Sequence, residues 1–133
     1  MRSALLLCAL ALALTACGAE PRDSTTEFKG DERAVAKTVE DLETAARDDD
    51  STAVCTKLLA EELLTALKAQ DKTCATAVKD AFRDADAKDL TVDEVTISGE
   101  RATAKVTSGT GNSKKAGTLQ LERSGAGWRI TSL

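Results

Sequence analysis

Apolar residues recur along this chain with two different periods, and the place where the period changes divides it. From Gly30 to Asp48, Val35, Val39, Leu42 and Ala46 follow at steps of four, three and four, which is one face of an α-helix. Asp31 is the expected N-cap, with Glu32 close to the positive end of the helix dipole. After Asp48-Asp49-Asp50 a second helix is expected to open at Ser51 or Thr52, with Val54, Cys55, Leu58 and Leu59 on one face. Leu63, Leu64 and Leu67 extend or restart it. A third helix is expected from about Thr73 to Ala87, burying Cys74, Val78, Ala81, Phe82 and Ala85.

From Leu90 onward the period becomes two. Val95 and Ile97 alternate with Thr96 and Ser98, Gly99 supplies a turn, and Ala102, Ala104 and Val106 alternate with Arg101, Thr103, Lys105 and Thr107. This is the pattern of a hairpin. Leu90 and Val92 are out of phase with Val95, so either the strand begins near Asp93 or a bulge resets it. Ser108 to Ala116 reads as a glycine-containing connection. Leu119 and Leu121 then pair with Trp128 and Ile130 through the turn Ser124-Gly125-Ala126-Gly127. The expected fold class is α+β, with N-terminal helices packed on a curved antiparallel sheet of three to four strands.

Ahead of the helices stands a different kind of segment. Met1-Arg2-Ser3 carries one positive charge, and Ala4 to Ala19 carry none and are mostly Leu and Ala. This is the layout of an export signal. The strongly apolar part stops near Ala16, short of the roughly 20 residues a membrane-spanning helix requires. Leu14-Thr15-Ala16-Cys17 resembles the bacterial lipobox, in which small residues precede a cysteine that receives diacylglycerol. On that reading residues 1–16 are a lipoprotein signal peptide, Cys17 is the lipidation site, and residues 17–29 form a lipidated tether. The domain is residues 30–133. Two or three acyl chains hold stably where one would only dwell. The alternative is an ordinary secretory signal, cut near Ala16 or Ala19.

Composition then removes whole classes of function. The 133 residues include no His and no Tyr, one Trp and two Phe, with 18 Lys+Arg against 22 Asp+Glu. Without imidazole there is no Ser-His or Cys-His pair and no imidazole metal ligand. An acidic balance argues against a nucleic-acid partner, since phosphates need cations. Four cysteines are present: Cys8 lies in the leader and Cys17 takes the lipid, leaving Cys55 and Cys74. Export places that pair in an oxidising compartment, where a disulfide is expected. The core is thin, so the bridge matters to stability.

The stretch Val35 to Leu59, including Asp49-Asp50 and Ala53-Val54-Cys55-Thr56-Lys57-Leu58-Leu59, resembles small actinobacterial lipoproteins with the cone-shaped nuclear transport factor 2-like fold. Gly127-Trp128-Arg129-Ile130 resembles the last strand of that superfamily. The resemblance implies a cone whose wall would include Phe82, Val95, Ile97, Val106 and Trp128. It also brings in cyclase-like and isomerase-like enzymes, which rely on a Tyr, His or Asp inside the cone. This chain has no Tyr or His, so only a buried carboxylate could carry over, and no position matches one.

Two further motifs have the composition of ligand sites but not their spacing or context. Asp48-Asp49-Asp50 lacks the spaced ligands, Gly and distal Glu of a calcium loop and reads as a solvated turn. Gly109-Thr110-Gly111-Asn112-Ser113-Lys114-Lys115 precedes a strand, so it lacks the helix dipole of a phosphate cradle. No catalytic residue, cofactor or metal is therefore expected. The leading expectation is a non-enzymatic module, lipid-anchored on the extracytoplasmic face of the cell membrane, that holds an envelope protein partner or a small hydrophobic ligand. The alternatives are a cavity enzyme using a buried carboxylate, or a structural or regulatory envelope protein.

Overall fold

A computed structural model describes residues 27–125 and 127–132. The leader, Cys17 and most of the tether lie outside the described residues. The order of elements is α1 (Gly30–Arg47), α2 (Ser51–Ala53) running into a π-helical turn (Val54–Leu58), α3 (Glu61–Ala69), α4 (Cys74–Ala85), then strands β1 (Leu90–Ser98), β2 (Arg101–Ser108), β3 (Lys115–Ser124) and β4 (Gly127–Ser132). The strands form one antiparallel meander in the order β1-β2-β3-β4. The expected α+β class and four-stranded curved sheet are thus found.

Helix α1 buries the stripe its spacing announces, Val35, Val39, Leu42 and Ala46, together with Ala36, Thr38 and Ala45. Its N-terminus corrects one expectation. The N-cap is Lys29, with no side-chain cap, and Asp31 lies inside the first turn. There its carboxylate accepts from the Arg123 guanidinium of β3 at 2.7 Å, so a partner 92 residues away takes the side chain that local reasoning assigned to the helix end.

At α2 the capping group is Asp50, whose carboxylate accepts the Ala53 N–H at 2.9 Å. The helix then widens: Leu59 N–H donates to the Val54 carbonyl at 3.1 Å, a π-type bond. The extra residue in the turn lets Val54, Leu58 and Leu59 all reach the core. Leu59 is already extended and bridges Ile130 in parallel, and Ala60 N–H donates to the Ile130 carbonyl at 2.8 Å, covering part of the β4 edge. Leu63, Leu64 and Leu67 restart a helix, α3, in which no residue is fully buried.

Helix α4 starts one residue later than expected, capped by Thr73, and ends at Ala85 with Asp86 in the left-handed conformation. Its buried stripe is narrower than the sequence suggested. Only Val78 is fully buried; Cys74, Ala81 and Phe82 are half-buried and Ala85 is exposed. The helix sits at the margin of the core. Cys55 and Cys74 form a disulfide, with Cα atoms 6.0 Å apart, and it ties the π-turn to the first turn of α4.

In the sheet the phase conflict is resolved by a bulge. The β1–β2 register slips between Val92 and Glu94, leaving Asp93 as the extra residue. Val92 and Val95, an odd number of residues apart, consequently both face the core. Inner-face layers run across the strands: Ile97, Ala102, Leu121 and Ile130 form one, Val95, Ala104 and Leu119 the next. These layers pack on α1. At the start of the β2–β3 connection Gly109 has φ +84°, and a Cβ there would stand 2.9 Å from the Ser113 carbonyl oxygen, so only glycine fits.

Candidate functional site

Along β3 the inward positions Leu119 and Leu121 are followed in phase by Arg123, which pairs across the ladder with Trp128. The alternation therefore puts a guanidinium, not a methyl group, on the last inner-face layer. Its carbon lies 4.6 Å from the centre of the Trp128 ring, a cation–π geometry. Arg123 also pairs with Asp31 at 2.7 Å and Glu100 at 3.6 Å. The hydrogen bond from Arg123 holds the Asp31 carboxyl below its ordinary range, and Asp31 in turn raises Arg123.

Trp128 is thus clamped on one side, and it is only 4% exposed. Its Nε1 is buried and, among the described residues, has no hydrogen-bond partner. Leaving such a donor unsatisfied costs about 1–3 kcal/mol. Trp128 and Gly127 form one wall of a groove of about 450 Å³. The facing walls come from α1, through Thr38, Asp41, Thr44, Ala45 and Asp48, and from the α2 segment, through Asp50, Ala53, Lys57 and Leu58. Apolar Ala45, Ala53, Leu58 and the indole share it with three carboxylates and one ammonium.

Of the five residues expected on a cone wall, Trp128 borders this groove. Phe82 borders a separate depression with Lys79, Arg83 and Lys88. Val106 lies by a shallow one on the sheet with Ala116 and Gly117. Val95 is buried and Ile97 half-buried, both packed in the core. Sequence reasoning passed over Asp41 and Arg123, read Asp48 and Asp50 as part of a solvated turn, and gave Lys57 no role at a site. The signal was present in part: Thr38, Asp41, Ala45 and Asp48 recur at helical spacing beside the buried stripe.

Outside the groove, Glu43 is committed to structure. Burial pushes the Glu43 carboxyl above its ordinary range, opposed by the Arg47 guanidinium and the Leu90 backbone. Arg47 bonds Glu43 and the Lys88 carbonyl, fastening the end of α1 to the loop before β1. Among the described residues no Asp or Glu is fully buried, and no group of three or more His, Cys, Asp or Glu could hold a metal ion. No helix among the described residues is long and apolar enough to cross a membrane.

Helices gathered on the inner face of a curved four-stranded meander give this chain a nuclear transport factor 2-like fold. Among solved structures it is similar to "De novo designed NTF2 fold protein NT-9", with 15% sequence identity and a TM-score of 0.55 over 79% of this chain and 87% of that one. At that identity the likeness is one of fold. No protein-family model and no curated protein matches the sequence.

Proposed function

We propose that the chain is a bacterial envelope lipoprotein whose domain is a non-enzymatic binding module, using the groove beside Trp128 to hold an extracytoplasmic ligand or partner segment. The observation that carries the binding role is the groove itself: about 450 Å³, in the range of small-ligand sites, with a buried tryptophan whose N–H lacks a partner among the described residues. Support for a non-catalytic role comes from the missing His and Tyr and from the lack of a fully buried carboxylate among the described residues. Support for the anchor comes from Leu14-Thr15-Ala16-Cys17 behind an apolar leader. The resemblance to actinobacterial lipoproteins belongs to the same proposal.

The binding role is tested with the neutral apolar dye Nile red on the mature domain. Ala53 lines the groove, so Ala53→Phe fills it, whereas Thr96→Phe alters an exposed position outside it. Saturable dye binding that Ala53→Phe abolishes and Thr96→Phe spares is the expected result. Binding that survives Ala53→Phe in a folded variant contradicts the proposal.

A further inference from the structure

We infer that the Cys55–Cys74 bond is a redox-sensitive latch on the groove: closed, it holds the wall facing Trp128 in its binding shape, and opened by a dithiol reductant it slackens that wall without unfolding the sheet. The latch rests on the binding role proposed above and adds its regulation. Cys55 lies inside the five-residue π-turn Val54–Leu58, and its neighbours Ala53, Lys57 and Leu58 line the groove. The other sulfur belongs to Cys74, the first residue of α4. The bond spans 19 positions and closes a loop that contains the whole of α3. Packing within that lobe is slight, since α3 has no fully buried residue and α4 has only Val78. Segments with so few buried apolar contacts are the first to open.

The π-turn has a separate fastening on its sheet side. Arg129 of β4 donates to the Thr56 carbonyl at 3.1 Å and to the Leu59 carbonyl at 3.4 Å, giving partners to acceptors at the end of a helical segment. Ala60 N–H donates to the Ile130 carbonyl at 2.8 Å, and Val54 and Leu59 are buried in the core. None of these ties involves sulfur, so all survive reduction. A wall tied to the sheet at one end, and through one covalent bond to a thinly packed lobe at the other, loosens when that bond opens. Both cysteines are partly exposed, within reach of a reductant. One thiolate of the dithiol attacks a bridge sulfur and releases the other as a thiolate. The second thiol then displaces the mixed disulfide, so two electrons and two protons pass to Cys55 and Cys74 and the reductant leaves as a disulfide.

The test titrates Nile red into residues 17–133 bearing Cys17→Ser, first oxidised and then reduced with dithiothreitol, the opened bond being verified by thiol count. The expected result is saturable binding in both forms, about tenfold weaker after reduction, as when the competent wall is populated about one part in ten. Reoxidation restores it. The double variant Cys55→Ala/Cys74→Ala binds as the reduced form does and ignores dithiothreitol. Hydrogen exchange of the reduced protein shows α3, α4 and the Leu59 amide losing protection while β2 and β3 keep theirs. Equal affinity in the two redox forms overturns the latch and leaves the binding role standing. Loss of protection in β2 and β3 on reduction also overturns it, because the bond then staples the whole domain. An oxidised protein that binds no dye removes the binding role and the latch together.

Discussion

Asp49, Asp71 and Asp86 each sit at φ between 50° and 54°, a conformation that costs most L-residues 1–2 kcal/mol and Asp somewhat less. Asp71 and Asp86 also place a negative charge at the negative end of a helix, α3 and α4 respectively. Replacing Asp71 by Gly should therefore stabilise the domain by roughly 0.5–1 kcal/mol, read as a higher urea midpoint at constant slope. An unchanged or lower midpoint contradicts the account. Asp49 lies 3.6 Å from Lys88, so the same change there gains less. Two carboxylates respond to pH in opposite senses. Asp31 is held low by Arg123, so its stabilisation is present above the ordinary carboxyl range and lost as pH falls through its lowered value. Glu43 is raised by burial, so the folded state binds its proton more readily, and stability from this group is lost as pH rises through the raised value. Denaturation from pH 3 to pH 7, a range spanning these titrations, should show Glu43→Gln gaining on the wild type as pH rises and Asp31→Asn losing ground. Parallel curves would remove the assigned shifts.

The elements differ in how far their own residues determine them. Helix α1 and strand β2 were legible because a single face is buried along their whole length, so period and burial coincide. The bulge in β1 was legible as a conflict of phase between Val92 and Val95, though only the register decided between a bulge and a late start. The π-turn was not, because the apolar residues Val54, Leu58 and Leu59 suit an α-helical face and the widened turn is selected by the bridge from Leu59 to Ile130. Helix α4 was over-read: its apolar residues fit a stripe, yet its marginal position leaves only Val78 fully buried. Such peripheral elements depend on their staple. Replacing Cys55 and Cys74 together by Ala should destabilise the domain by about 3 kcal/mol on the chain-entropy estimate, with amides of α3 and α4 exchanging first. A midpoint within error of the wild type would show that the bridge constrains nothing.

At the scale of the molecule, the fold was readable because three helical patterns followed by period-two segments leave few ways to bury both sets of faces. The groove was less readable. Trp128 stood out as the only tryptophan, but Asp48 lies 80 positions earlier in the chain, and no local pattern announces that α1 and β4 will share a wall. Arg123 likewise reads as a surface cation until the phase of β3 turns it inward over the indole. The same end of the fold gathers the start of α1, where the tether joins, with Glu100 and the Arg123–Trp128 pair. A lipid at Cys17 would hold this end nearest the bilayer, at most about 45 Å of extended chain away. The proposed mooring is tested most directly by the intact mass of the full-length protein, expressed with its own leader and extracted from bacterial membranes. The account predicts a chain beginning at Cys17 with the added mass of two or three acyl chains. A leader still attached, or an unmodified thiol at that cysteine, would contradict it.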